Sequence, residues 1–122
     1  MNFEELQKKV LDWADDKDLL HEENAGKQFM KFIEEVFEFR FEMQNRVNYQ
    51  KACKHLKCDG SYALGENKFD MELEMGDILV TLIVLCEQLG IDPIMCLHMA
   101  YIKISKRKGK TINGVFIKEE DL

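Results

Sequence analysis

Apolar side chains recur at helical spacing along most of the chain. Between about residues 26 and 47, large apolar residues return every three or four positions, at Phe29, Phe32, Ile33, Val36, Phe37 and Met43. Similar patterns predict a first helix from residue 3 to about 18, a third from about 69 to 89 and a fourth from 93 to about 107. We therefore expect residues 1–122 to form one all-α domain, a bundle of four main helices.

Turn-forming and capping residues mark where these helices begin and end. Asn2 and Asp92 are suitable N-terminal caps for the first and fourth helices. A segment rich in glycine, asparagine and aspartate predicts a loop over roughly 58–68, and residues 48–56 either extend the second helix or form a short one. Near the C-terminus, Asn113-Gly114 lies between two short β-branched or aromatic runs, which predicts a short β-hairpin.

The apolar run at residues 78–86 covers every face of the third helix. Such a helix is typical of a protein core. Because a short chain has few elements with which to cover it, we expect self-association into at least a homodimer.

The composition narrows the classes of partner. The formal net charge of −6 argues against general nucleic-acid binding. The N-terminus lacks a signal-peptide pattern, and the run at 78–86 is too short to span a membrane. The four cysteines lack the spacing of a secreted disulfide framework. These features predict a cytoplasmic protein with no nucleic-acid or membrane partner.

The second helix carries an acidic stripe. Lys31, Glu35, Glu38 and Glu42 step by four, three and four residues, so they share one side of the helix, and apolar residues flank them on both sides. Carboxylates in such surroundings must be paired, protonated or bound to a cation. The alternative is an ordinary solvated acidic face.

The third helix offers a second acidic pair. Glu74 and Asp77 are three residues apart, just before the apolar run. Facing helices that each carry such a pair can build one divalent-cation site, and Mg²⁺ prefers oxygen ligands of this kind. A ferritin-like di-iron centre would need Glu-x-x-His on two helices, whereas the nearest match here is a single Asp18-x-x-His21. Cys53-x-His55-x-x-Cys58 matches no common zinc finger and lacks a fourth ligand.

The two acidic segments together resemble a known family. Glu34-Glu35-x-x-Glu38 followed by Glu74-x-x-Asp77 is similar to the E-E-x-x-E…E-x-x-D pattern of the MazG-like group of all-α nucleoside triphosphate pyrophosphatases. The resemblance covers nearly the whole chain, including Trp13-Ala14, Lys27-Gln28-x-x-Lys31, Gly76-Asp77-Ile78-Leu79-Val80, Gln88-Leu89-Gly90-Ile91-Asp92 and Ala100-Tyr101. The C-terminal Arg107-Lys108-Gly109-Lys110 and Asn113-Gly114-Val115-Phe116 are similar to small phage and Gram-positive members.

This resemblance implies an activity and a set of site residues. The family hydrolyses a nucleoside triphosphate to the monophosphate and pyrophosphate, by attack of a water activated by Mg²⁺, or by Mn²⁺ in its place. The implied metal ligands are Glu35, Glu38, Glu74 and Asp77. Glu34 is expected to orient or deprotonate the water, which makes Glu34, Glu35 and Glu38 the implied catalytic group.

The same resemblance suggests the substrate contacts. Lys31, Lys103 and Arg107 are expected to neutralise phosphate charge, and Gln28 and Trp13 to contact the nucleoside. From the residues alone, Trp13 is better explained as a core or interface side chain than as a stacking surface for a base. Family members usually form dimers or tetramers, in agreement with the all-round apolar third helix.

The chain departs from the family pattern at two places. The spacer between Glu38 and Glu74 is longer than usual, which indicates an insertion at about 48–68. Ile102 stands where the family often has asparagine, and the lysine of that motif is displaced. These differences leave an alternative open, a non-catalytic helical oligomer that binds a nucleotide or a protein partner.

Overall fold

Four α-helices and a small hairpin make up the chain. The structure, a computed structural model, describes all of residues 1–122. The helices are α1 (Phe3–Asp16), α2 (Ala25–Leu56), α3 (Ser61–Gln88) and α4 (Pro93–Ser105), and the strands are β1 (Gly109–Ile112) and β2 (Val115–Lys118). Short 3₁₀ turns occur at Glu22–Asn24 and Glu119–Asp121. The predicted all-α fold with a C-terminal hairpin is confirmed. No single helix combines the length and the apolar character needed to cross a membrane.

The chain divides into two compact units, Met1–Gly90 and Ile91–Leu122. In the first unit, α3 packs against both α1 and α2. Its buried apolar side chains are Ala14, Ile83, Val84 and Cys86. Because three of these four belong to α3, that helix is central to the unit, as its apolar run predicted.

The connection between α2 and α3 differs from the prediction. A loop over 58–68 is wrong, because α2 continues without a break to Leu56 and α3 already begins at Ser61. Residues 57–60 alone form the turn, where Lys57 and Gly60 have φ values of 57° and 63°. Gly65 therefore lies inside a helix, at a cost of about 1 kcal/mol relative to alanine. The expected insertion, residues 48–68, therefore consists of the C-terminal end of α2, the turn and the N-terminal end of α3.

The second unit contains α4 and the hairpin. Asp92 caps α4, since its Oδ1 accepts a hydrogen bond from the Ile94 N–H at 3.0 Å. β1 and β2 pair antiparallel, with Ile112 opposite Val115. The two turn residues, Asn113 and Gly114, have φ values of 53° and 79°. Positive φ at both positions is the requirement of the hairpin turn that Asn-Gly favours.

Candidate metal centre

Three carboxylates meet where α2 faces α3. One oxygen each from Glu35, Glu74 and Asp77 lies within 4.8 Å of the others. Glu74 and Asp77 are three residues apart, so α3 presents them on one side, and α2 supplies Glu35 opposite them. The cluster contains three of the four predicted ligands and lies entirely within the first unit.

Two oxygens of this cluster are buried without a partner. Glu35 is only 8% exposed, and its Oε2 has no hydrogen-bond partner. The Oε2 of Glu74 is likewise buried and without one. A buried polar atom left unpaired costs about 1–3 kcal/mol. Binding of a cation, or protonation of a carboxyl, would give these two oxygens the partner that they lack.

Glu38, the fourth predicted ligand, lies beside the cluster. Its carboxyl is within hydrogen-bonding reach of both Glu35 and Glu74. Burial first, and then Glu38, raises the pKa of Glu35 and the pKa of Glu74 above the ordinary glutamate value. Asp77 adds to both increases. Like charges held this close favour protonation unless a cation binds them.

Lys31 lies beside the acidic cluster. Its Nζ is 3.7 Å from Glu35 Oε1 and 3.5 Å from Glu34 Oε2. Glu34 is on the exposed side of α2, so Lys31 bridges a solvated carboxylate and a buried one. Glu34, followed by Glu35, raises the pKa of Lys31, which therefore stays charged beside the cluster.

A cavity of about 410 Å³ opens beside the cluster. Its lining residues come from the three helices α1, α2 and α3 and from the segment between α1 and α2. They are Trp13, Leu19, Gln28, Lys31, Glu35, Asp77, Val80, Thr81 and Val84. The structure thus brings Trp13, Gln28 and Lys31, the three predicted substrate contacts of this unit, into one cavity with two predicted metal ligands.

Gln28 is held in a defined orientation within this cavity. Its Nε2 donates to the backbone carbonyl of Thr81 at 3.2 Å. The Thr81 hydroxyl in turn donates to the carbonyl of Ile78 at 2.8 Å. The amide oxygen of Gln28 remains as an acceptor for a ligand. Trp13 is half exposed, so part of its indole is accessible to a ligand in the cavity.

Apart from Asp77, sequence reasoning missed the residues of α3 that line the cavity. Val80, Thr81 and Val84 belong to an apolar run that was interpreted as core. A signal was nonetheless present, because Thr81 is the single hydroxyl residue between positions 78 and 86.

Glu42, one turn beyond Glu38 on the acidic stripe, has a different role. Its Oε2 accepts from Asn67 Nδ2 at 3.0 Å, and its Oε1 accepts from Asn45 Nδ2 at 3.4 Å. Asn67 Nδ2 also donates to the backbone carbonyl of Glu42 at 3.0 Å. Both carboxylate oxygens of Glu42 are therefore engaged, Oε2 in joining α2 to α3 and Oε1 in a contact within α2.

Lys103 and Arg107 belong to the second unit. They line a cavity of about 570 Å³ there, together with Lys106, Lys108, Lys118, Glu119 and Glu120. Five cationic side chains against two carboxylates make this surface attractive to anions. The predicted phosphate contacts are thus distributed between the units, with Lys31 in the first and these two in the second.

The histidines lie outside the carboxylate cluster. His21 pairs with the exposed Asp18, with Nε2 and Oδ1 2.6 Å apart. His55 is two residues after Cys53 on α2, a spacing that places their side chains on different faces of the helix. The arrangement therefore favours neither the di-iron nor the zinc alternative.

No family model, curated protein or solved structure matches the chain.

Proposed function

We propose that this protein is a Mg²⁺-dependent nucleoside triphosphate pyrophosphohydrolase that acts in the cytoplasm and releases a nucleoside monophosphate and pyrophosphate. The proposal follows the resemblance to the MazG-like family. The observation that carries it is the cavity in which Glu35 and Asp77 adjoin Lys31, Gln28 and Trp13. The carboxylates can bind a metal ion and the lysine a phosphate. The amide can hydrogen-bond to the edge of a base, and the indole can stack on its face.

The donor set fits Mg²⁺, with Mn²⁺ as a substitute. All candidate donors are carboxylate oxygens, from Glu35, Glu38, Glu74 and Asp77. Mg²⁺ is bound by a few carboxylates and keeps its remaining positions for water and substrate phosphates. The two buried oxygens without partners, one on Glu35 and one on Glu74, are the atoms that such an ion would satisfy. When bound, the ion supplies charge neutralisation and lowers the pKa of water.

The chain's own side chains have separate roles in this proposal. Lys31 neutralises phosphate charge next to the cluster, and Gln28 and Trp13 bind the nucleoside. Glu34, on the exposed side of Lys31, remains the candidate for accepting a proton or orienting water. Lys103 and Arg107, on the cationic surface of the second unit, are the further candidates for phosphate binding.

Assembly as a homodimer or tetramer is part of the proposal. Phe37 and Phe41 of α2 are 68% and 67% exposed, and they are four residues apart on one side of the helix. In α4, no residue is buried and Leu97 is 71% exposed. Covering apolar surface of this kind contributes roughly 25 cal/mol per Å². A second copy of the chain is the partner we propose.

Pyrophosphate release from a panel of nucleoside triphosphates, with and without Mg²⁺, tests this function. We expect turnover that requires the ion and that Glu35→Gln abolishes. Glu72→Gln, which alters an exposed carboxylate of α3, should leave turnover unchanged. Trp13 fluorescence reports binding independently of turnover. Binding without turnover would instead support a non-catalytic nucleotide-binding oligomer, and the lack of both would refute the proposal.

A further inference from the structure

The turn that ends α2 places two cysteines together. Lys57 has a φ of 57°, and the Cys58 N–H donates to the Cys53 carbonyl at 3.1 Å. A hydrogen bond from the sixth residue back to the first, here over residues 53–58, is characteristic of a Schellman-type helix end. In that geometry the first and last side chains of the six commonly contact each other. Here both of those side chains are thiols.

The surroundings of the two thiols differ. Cys53 is half-buried and Cys58 is exposed. The Cys53 sulfur occupies the space that a Cβ on Gly60 would need, so the turn at residue 60 closes over it. Burial, followed by the neighbouring Cys58 thiol, raises the pKa of Cys53. Cys58 is therefore the thiol that a reagent in solution reaches first, and Cys53 is sheltered beside it.

We propose that Cys53 and Cys58 are a redox modification site, which forms a reversible intrachain disulfide by exchange with a low-molecular-weight disulfide such as oxidised glutathione. Cys58 lies outside α2 and within the turn, so the bond joins the last helical turn to the connection without removing a helical residue. The site is independent of the proposed catalysis. Cys53 and Glu35 are 18 residues apart on α2, or about 27 Å at 1.5 Å per residue.

The exchange has two balanced steps. Cys58 loses its thiol proton to water, and its thiolate attacks one sulfur of the small disulfide. The small disulfide bond breaks, a mixed disulfide forms on Cys58, and one small thiolate leaves and takes up a proton. Cys53, deprotonated in turn, attacks the Cys58 sulfur and displaces the second small thiolate. Two protein thiols are oxidised, and one small disulfide is reduced to two thiols.

Mass spectrometry of the full-length protein tests this site directly. The chain is equilibrated with oxidised and reduced glutathione, its remaining thiols are alkylated, and it is digested with trypsin. Because Lys54 and Lys57 lie between the cysteines, cleavage separates residues 52–54 from residues 58–68. We expect these two peptides to be joined, with a loss of two hydrogens, and to separate on treatment with dithiothreitol.

Two variants and an unfolded control sharpen the test. Cys53→Ser should stop at a lasting glutathione adduct on Cys58, whereas Cys96→Ser, which removes an exposed thiol of α4, should leave the linkage unchanged. The linked fraction should be higher in the folded protein than in urea, because the helix end pre-organises the pair. A lasting adduct on Cys58 in the unaltered protein, linkage mainly between chains, or an equal linked fraction in urea would overturn the proposal.

Discussion

Glu38→Gln should make the metal-free protein more stable and the metal-bound protein less responsive to Mg²⁺. In the folded protein the Glu38 carboxyl adjoins both Glu35 and Glu74, where it can only repel them or share a proton. A glutamine amide has the same shape and carries two N–H donors. It can therefore donate to the two neighbouring carboxylates while it removes one of the negative charges.

The size of the effect follows from these contacts. A hydrogen bond to a charged group contributes about 1.5–3 kcal/mol, and because Glu38 is exposed we take the lower end, about 1.5 kcal/mol in total. For a unit of 90 residues this corresponds to an increase in Tm of roughly 6–12 °C without metal. At a hundredfold excess over its Kd, Mg²⁺ stabilises a protein by about 2.7 kcal/mol, and a site weakened tenfold retains about 1.4 kcal/mol.

Thermal unfolding in EDTA and in a Mg²⁺ titration measures both quantities. Glu42→Gln is the matched control on the same stripe, because Asn67 and Asn45 already donate to its two carboxylate oxygens. One of those oxygens would become a donor facing a donor, so Tm should stay constant or fall, with an unchanged response to Mg²⁺. A lower metal-free Tm for Glu38→Gln, or a full Mg²⁺ response, would refute our description of the cluster. Pyrophosphate release should be severely reduced in Glu38→Gln, although the variant stays folded.

Three further outcomes are expected. Because folding raises the pKa values of Glu35 and Glu74, the stability that these two carboxyls contribute to the metal-free protein should be fully present below the ordinary glutamate pKa and be lost as the pH rises through the raised values. Melting curves should show that Mg²⁺ suppresses this loss. Sedimentation at micromolar concentration should show a species at least twice the 14.4 kDa of one chain, and Phe37→Glu with Phe41→Glu should lower the apparent mass, whereas an unaltered protein that sediments only as a monomer contradicts the proposed assembly. Nucleotide binding should change Trp13 fluorescence, and Trp13→Ala should raise KM more than it lowers kcat. A variant with a lower kcat and an unchanged KM would place the indole away from the nucleoside.

The acidic site was predictable because helical periodicity carries three-dimensional information. Once α2 and α3 are helices, Glu74 and Asp77 must share a face, and so must Glu35 and Glu38. The apolar flanks indicated that this face is turned toward another helix, and the structure places the two pairs together. The turn at Asn113-Gly114 was predictable for a similar reason, because these two residue types favour positive φ by themselves, without help from distant contacts.

The cavity and the connection were not predictable in this way. Val80 and Val84 line the cavity because of how α1 and α2 pack on α3, and in this apolar run the hydroxyl of Thr81 was the one local signal of a polar surrounding. The loop expected at 58–68 failed for a related reason. Gly65 and Asn67 disfavour a helix in isolation, but tertiary contacts of the residues around them outweigh local propensity. Asn67 in particular donates hydrogen bonds to Glu42 of α2.

That contact predicts a strong and pH-dependent effect of Asn67→Asp. Asn67 is 2% exposed, and its Nδ2 donates to both the backbone carbonyl and the carboxylate of Glu42. The substitution keeps the volume but replaces this donor with an oxygen facing two acceptors. The bond to the carbonyl contributes about 0.5–1.5 kcal/mol and the bond to the charged carboxylate about 1.5–3 kcal/mol, so a loss of roughly 3 kcal/mol is expected at neutral pH. Repulsion from Glu42 raises the pKa of the new carboxyl on folding, so the loss should shrink as the pH falls and the carboxyl becomes protonated and regains a donor. Urea unfolding of Asn67→Asp and Asn67→Ala across the pH range separates the two causes, since the alanine variant lacks the titrating group. A penalty for Asn67→Asp that does not change with pH, or that equals the alanine penalty throughout, would show that Asn67 fills space between α2 and α3 without joining them.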